Sequence, residues 1–358
     1  SYEALDDGET GVETVQLTIS DIDSGQTYTT TLTINIDGAN DAPTAVDDTS
    51  LAAITEDDGP IAGGLSVLDN DSDVDAEPIT VAGINGGGAG TIGVATPIAS
   101  GAEVTMTAAW TFDHNPNGQF EYLAVGESTT DTFTYQVTDG DATSTATVTV
   151  TINGANDAPV AVADTGATDE DSVLNVGPLV GVVSNDTDVD ASDTLTVGQV
   201  NASAANVGVA TAGSTGGLFT INVDGSYSFD PNGDYDDLAA GGSRDSMISY
   251  QVTDSNGGVS TSTVTVTVSG LNDAPVAADD AESVGEDAGA TAGTNVLAND
   301  TDADTDPAAD TLTVTAVDGS GANVGVAVAT AGGALVTILA NGDITVDPNG
   351  AYESLGAG

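Results

Sequence analysis

Short runs of alternating apolar and polar residues, separated by turn-forming pairs, make up most of this chain. Over residues 132–139, Phe133, Tyr135 and Val137 fall on one side; Ile248, Tyr250 and Val252 repeat the arrangement, as do Val15, Leu17 and Ile19. A period of two predicts half-buried β-strands. The run 260–268 sets Val264, Val266 and Val268 inward and Thr263, Thr265 and Thr267 outward. Asp139-Gly140, Asp224-Gly225, Asn232-Gly233, Asn256-Gly257-Gly258, Asn341-Gly342 and Asn349-Gly350 supply the turns. No stretch keeps a helical period, and none approaches the ~20 apolar residues of a membrane span. Units of about 100 residues with seven or more such strands predict immunoglobulin-like β-sandwiches. Trp110, Tyr122, Tyr135, Tyr227, Phe229, Tyr235 and Tyr250 are expected in the core or at its corners.

The pattern recurs with a period of 116 residues, the spacing of Asn40, Asn156 and Asn272 within GANDAP, GANDAP and GLNDAP. A second marker keeps the order: LDNDSDVD at 68–75, VSNDTDVD at 183–190 and LANDTDAD at 297–304. A third comprises FDPNGDYDDL at 229–238 and VDPNGAYESL at 346–355, with FDHNPNGQFEYL at 112–123 as a variant. Residues 41–156 and 157–272 are thus expected to be complete repeats. Residues 1–40 are the C-terminal part of a preceding repeat, and 273–358 the N-terminal part of a following one. The opening residues 1–5 match the phase of 351–355, so either the polypeptide continues in both directions or one molecule's end completes the start of the next.

Composition narrows the chemistry. One Arg, no Lys and 57 acidic residues give a formal charge of −56. Such a surface repels nucleic acid and anionic lipid headgroups, whose binding depends on basic residues displacing counterions. With no Cys there are no disulfides or zinc-thiolate clusters, so rigidity needs another source. A single His and a single Arg cannot furnish a triad or a three-His zinc site in each repeat. Carboxylate catalysis of the glycosidase type would call for one special site, whereas these acids repeat with the period. His114, in the variant loop, is expected to be exposed, and Arg244 to pair with nearby acids at the surface. A hydrophobic content of 39% with Val, Thr and Ile in alternation argues against disorder.

The ordered set of an acidic Glu-Asp pair, an NDxDxD loop, a YxVTD strand end, a TVTVTV strand and an NDAPV joint resembles the bacterial cadherin-like and VCBS-type tandem repeats of large secreted adhesins and biofilm proteins. The stretch 123–159 is the most VCBS-like. The resemblance implies an all-β, elongated array of tandem cadherin-like sandwiches, with calcium at the joints. It implies ligands from an early Glu (Glu56, Glu170, Glu286). From the loop come Asp71, Asp73 and Asp75, then Asp186, Asp188 and Asp190, then Asp300, Asp302 and Asp304. The linker adds Asn40 and Asp41, Asn156 and Asp157, and Asn272 and Asp273, and the strand ends add Asp139 and Asp254. The linker is shorter than the cadherin DxNDNxP, and the residue three before its Asn varies among Asp37, Asn153 and Ser269.

Elementary chemistry points the same way. Calcium takes six to eight hard oxygen ligands, and short Asp side chains on a turn converge with carbonyls to supply them. Of the 57 acids 45 are Asp and 12 Glu, a bias that solubility alone does not require. The loops are not EF-hands, since from Asp186 the sixth position is Ala191 and the twelfth Val197. The plain alternative, a solvated acidic turn, leaves three carboxylates on alternate residues to repel one another. Salt adaptation explains the missing Lys but not the clustering.

The expectation is a non-enzymatic, calcium-rigidified extracellular rod, stalk or matrix segment of a secreted or cell-surface bacterial adhesin or fibre. Its partners are calcium ions and neighbouring repeats of the same or another copy. One alternative is a self-assembling filament subunit in which residues 273–358 of one copy pair with 1–40 of another. Another is a polysaccharide- or host-binding module, for which the irregular 99–119 region with Met106, Trp110 and His114 is the candidate surface.

Overall fold

The computed structural model describes residues 2–50, 53–64 and 66–353. Two compact units divide the chain: 1–158 with 188–194 and 254–258, and 159–187 with 195–253 and 259–358. The phase match between 1–5 and 351–355 falls in part on Ser1, Ser354 and Leu355, outside the described residues. Among the described residues there is no α-helix, and no helix is long and apolar enough to cross a membrane.

The first unit opens with β1 (Thr10–Ser20) and β2 (Thr27–Asp37), an antiparallel hairpin in register from Thr10↔Asp37 to Ser20↔Thr27. Its alternation is as the sequence predicts, but Val15, Leu17 and Ile19 stay 46%, 42% and 60% exposed. No second layer covers them among the described residues.

Nine strands follow among the described residues: β3 (Asp48–Thr49), β4 (Ile54–Thr55), β5 (Ile61–Ala62), β6 (Thr80–Ile84), β7 (Thr96–Pro97), β8 (Glu103–Met106), β9 (Phe112–Asn115), β10 (Ser128–Thr138) and β11 (Thr143–Asn153). One sheet runs β3-β11-β10-β6, with β4 also on β11; the other runs β5-β9-β8-β7. Alternate residues of β10 and β11 face inward, so Phe133, Tyr135, Val137, Val148, Val150 and Ile152 meet Val104, Met106 and Phe112 in one core.

The second unit repeats this plan with β12 (Asp164–Asp169), β13 (Leu174–Val176), β14 (Thr196–Val200), β15 (Thr211–Ala212), β16 (Leu218–Ile221), β17 (Tyr227–Asp230), β18 (Ser243–Thr253) and β19 (Val259–Ser269). Its sheets are β12-β19-β18-β14 and β13-β17-β16-β15. Val264, Val266 and Val268 are buried as the alternation requires. Beyond them a single sheet, in the order β20-β23-β22-β21, is built from β20 (Thr291–Ala292), β21 (Val328–Ala329), β22 (Leu335–Ile338) and β23 (Ile344–Asp347). Residues 280–285 and 313–316, in phase with β12 and β14, are not strands. In the complete sandwich those strands pair with β18 and β19, and no such hairpin follows among the described residues.

Three sequence expectations need correction. His114 is 1% exposed, not a loop residue: it sits on β9 opposite Ile61 and Val104, and its Nε2 lies 2.9 Å from Asp131 Oδ2. The Pro-Asn-Gly turns align 115–118 with 230–233, so His114 occupies the place of Phe229 and Asp131 that of buried Ser246. Tyr122 is 48% exposed, outside the core. The region 99–119 offers no exposed aromatic patch among its residues, because Met106 is buried and Trp110 packs against the core.

Candidate metal centre

Each repeat begins with the NDAP linker, and its residues are tied to the acidic loop that follows. The backbone N–H of Asp41 donates to Asp75 Oδ2 at 2.7 Å, that of Asp157 to Asp190 Oδ2 at 3.0 Å, and that of Asp273 to Asp304 Oδ2 at 2.9 Å. The third Asp of each loop is itself fixed by its own N–H, which donates to Asp73, Asp188 or Asp302 Oδ1 at 2.8, 3.0 and 3.2 Å. One oxygen of the third Asp is thus spent on the linker. Its other oxygen, Oδ1 in Asp75, Asp190 and Asp304, is buried without a hydrogen-bond partner.

Within the first unit Asp190 meets acids from two further segments. Glu56, Asp157 and Asp190 bring carboxylate oxygens within 4.8 Å of one another. Glu56 is 2% and Asp190 1% exposed. Glu56 Oε1 accepts the N–H of Ala155 at 2.8 Å, which seats the glutamate beside the linker. Glu56 Oε2, Asp157 Oδ2, Asp190 Oδ1 and the amide oxygen of Asn156 have no hydrogen-bond partner. Asp157 also belongs to a second group with Asp57 and Glu121, and Asp188, Asp193 and Asp254 form a third. Buried, unpaired carboxylates cost several kcal/mol apiece unless a charge compensates them, so the arrangement suits a compensating positive charge.

The strand-end acids shape the rim. Asp254 Oδ1 accepts the N–H groups of Asn256, Gly257 and Gly258, while its Oδ2 takes Asn156 Nδ2 at 3.2 Å. Gly258 sits so close that a β-carbon there would lie 2.2 Å from Asp254 Oδ2 and 3.0 Å from the Asp157 carbonyl. Asp139 repeats the turn, accepting from Asp141 and Ala142 N–H at 2.7 Å and from Asn40 Nδ2 at 3.3 Å. Those bonds, the one from Ala142 foremost, hold the Asp139 carboxyl below the usual range.

Titration follows the geometry. Burial pushes Glu56, Asp157, Asp190 and Glu121 upward, and neighbouring carboxylates add to it: Asp190 beside Glu56, Asp57 beside Asp157, Asp188 beside Asp190. Near the first linker, Glu77 is pushed up to about 7 by its hydrogen bond with Asp6.

The second unit carries the same parts around Asn272 and Asp273. Glu170, 5% exposed, accepts Leu271 N–H at 2.6 Å and keeps a buried Oε2 without a partner; Asp304 is fully buried. Burial raises Glu170 and Asp273, with Asp304, Asp236 and Asp171 among the acids that add to it. Asn272 Nδ2 donates to the Asp273 carbonyl at 2.5 Å.

Not every expected residue joins these groups. Asp71, Asp186 and Asp300, the first acids of the three loops, turn into their own repeats and accept from Val46, Val162 and Ala278 N–H at 2.8, 2.7 and 2.8 Å. Glu286 lines an open cavity of about 630 Å³ with Val284, Ala334, Val336 and Val346. Conversely, Asp57, Glu121 and Asp193 belong to the groups and carry no expectation from the sequence. The signal for two of them was present: Asp57 follows Glu56 as Asp171 follows Glu170, and Glu121 follows Phe120 as Asp236 follows Tyr235.

The set is all-oxygen, acid-rich and draws on several segments, which is the donor chemistry of a hard divalent cation that accepts irregular geometry. Comparison with known families agrees with the sheets. The model of the bacterial cadherin-like domain matches residues 40–154 and again 156–270, and that of a bacterial Ig domain matches 272–356. The chain belongs to the bacterial cadherin-like domain family. No curated protein matches it in sequence. Among solved structures, extracellular domains three to six of protocadherin gamma B7 align with 94% of this cadherin-like chain and 74% of their own, at 14% identity and TM-score 0.49. The protocadherin gamma B4 extracellular domain aligns over 94% and 51%, at 16% identity and TM-score 0.48. Domains one to four of Drosophila N-cadherin align over 99% and 78%, at 16% identity and TM-score 0.32.

Proposed function

We propose that this chain is a calcium-rigidified structural segment of an extracellular bacterial adhesin or fibre, without catalytic activity. Residues 41–156 and 157–272 are its complete repeats; 1–40 and 273–358 are the closing and opening parts of two more. The observation that carries the reading is the meeting of Glu56, Asp157 and Asp190, each with a buried oxygen that no hydrogen bond satisfies. Asn156, Asp57, Glu121, Asp188, Asp193 and Asp254 would complete the coordination around them, and Glu170, Asp273 and Asp304 would serve the following linker. The bound ion would supply positive charge. The chain's own residues fix the linker backbone to the acidic loop, and Pro43, Pro159 and Pro275 limit its torsions. Thermal melting and limited proteolysis in calcium and in EGTA test this. A higher melting temperature and slower cleavage in calcium support it, and identical behaviour in both rejects it.

A second reading is self-assembly by strand complementation. It is favoured by the exposed apolar face of β1 and β2, with Leu17 and Leu32 42% and 47% exposed, and by β22 and β23, whose residues are all half-buried. Light scattering over a concentration series separates it from a monomer.

A further inference from the structure

We propose that Asp71, the first acid of its loop, is an internal anchor and not an ion ligand, and that Tyr135 is a positioning residue which holds that anchor. This rests on the calcium reading above.

The loop motif presents three acids at alternate positions, and chemistry alone treats them as equals. The fold does not. Asp71 Oδ1 takes Val46 N–H, while the hydroxyl of Tyr135 lies 3.0 Å from Asp71 Oδ2 and 2.8 Å from the Val67 carbonyl. Tyr135 is fully buried, at the centre of β10, and Asn70 Nδ2 adds bonds to the Val46 and Asp47 carbonyls. The carboxylate therefore closes a bridge between the segment after the linker and the middle of β10. Both oxygens of Asp71 are used inside the sandwich, and none remains for an ion.

The following repeats keep the backbone bond alone, and Asp186 Oδ2 is buried without a hydrogen-bond partner. Asp186 Oδ1 takes Val162 N–H, and the Tyr250 hydroxyl donates to neighbouring Asp164 Oδ2 at 2.7 Å, within 3.0 Å of the Val162 and Val182 carbonyls. Asp300 makes the same backbone bond to Ala278. Three occurrences of one bond, always from the residue six after the linker Asn, mark a built contact. Its consequence is local: with the first Asp pinned, the second and third have few backbone freedoms left, and the free oxygen of the third is presented where the linker N–H already holds its other oxygen.

Anchor and ligand respond differently to Asn. An amide oxygen still accepts a backbone N–H, but it removes the charge that a cation requires. The test is calcium titration calorimetry on the full chain, with melting in EGTA as a second readout. Asp71→Asn should keep wild-type affinity, whereas Asp190→Asn loses it. Asp71→Ala and Tyr135→Phe should each weaken affinity about tenfold, the size typical of losing a group that orients a ligand. In EGTA Asp71→Ala melts lower than wild type and Asp71→Asn does not. Asp71→Asn binding as weakly as Asp190→Asn makes Asp71 a ligand and overturns the proposal. If wild type binds no calcium, the function above falls, and the EGTA melts alone decide the anchor: equal melting of Asp71→Ala and wild type overturns it.

Discussion

The backbone N–H of Asp157 donates to the side chain of Asp190 across 33 residues of sequence, at 3.0 Å. A linker residue and a loop residue are thereby locked together by the fold itself. The oxygens that remain free are the ones that converge. From this arrangement follow opposite pH dependences for the ion-free and ion-bound protein.

In calcium-free buffer, Glu56, Asp157, Asp190 and Glu170 have carboxyls raised by burial. A group whose folded value is raised stabilises the fold when protonated and loses that contribution as pH rises through the raised value. The ion-free melting temperature should therefore climb as pH is lowered from neutrality into the upper carboxylate range. With calcium the increment should shrink over the same range, because protons compete for the ligands. Melting curves from pH 7.5 to 4.5, with and without calcium, check both signs.

His114 and Asp131 form a buried pair where the next repeat has Phe229 and Ser246. Burial pushes Asp131 up, but hydrogen bonds from His114, Ser100 and Thr132 outweigh it and hold the carboxyl below its usual value. That contribution is present above the unfolded value and lost as pH falls through the lowered one. Asp131→Ala leaves a buried imidazole without a partner and should cost about 3–5 kcal/mol. The double exchange His114→Phe with Asp131→Ser restores the neighbouring repeat's packing and should be neutral or stabilising. Denaturant unfolding of His114→Phe, Asp131→Ser and the double variant measures the coupling.

Gly38, Gly154 and Gly270 stand two residues before each linker Asn, and the reason is steric. A β-carbon on Gly154 would lie 2.1 Å from the Leu123 carbonyl oxygen and 2.2 Å from that of Ala124; on Gly270 it would lie 2.2 Å from the Leu238 oxygen. Gly154→Ala must shift backbone on one side, a change expected to cost about 1–3 kcal/mol. Its melting temperature should fall in EGTA and in calcium alike.

Arg244 forks onto Asp237 at 3.1 and 2.7 Å and reaches Asp306 at 2.8 Å, with its guanidinium 5.8 Å from the Tyr235 ring centre. All three charged groups are partly exposed, so solvent screens the pairs. Arg244→Ala should cost no more than about 1 kcal/mol at low salt. The loss should fade in high salt, and paired denaturation curves at two ionic strengths read it.

Much of the fold is legible in the sequence, because strict alternation in runs such as 143–153 and 259–269 leaves one face for the core. The open strands are less so: Val15, Leu17 and Ile19 alternate as well as Phe133, Tyr135 and Val137, yet burial depends on a second layer that the pattern cannot supply. The candidate site divides in the same way. Glu56, Asp157 and Asp190 are readable from motif and period. The inward turn of Asp71 is hidden, since it depends on Tyr135, 64 residues away. The place of His114 on a strand is legible only with the Pro-Asn-Gly turns 116–118 and 231–233 in register, which sets it in the place that Phe229 takes in the next repeat.

Whether Glu56, Asp157 and Asp190 hold a calcium ion together is read by calorimetric titration of calcium into wild type and Glu56→Gln. Saturable binding is expected in wild type, with the tightest component lost or weakened about tenfold or more in Glu56→Gln while the EGTA melting temperature of that variant stays the same or rises. Saturable binding of equal strength and stoichiometry in both proteins, or no binding in either, would contradict it.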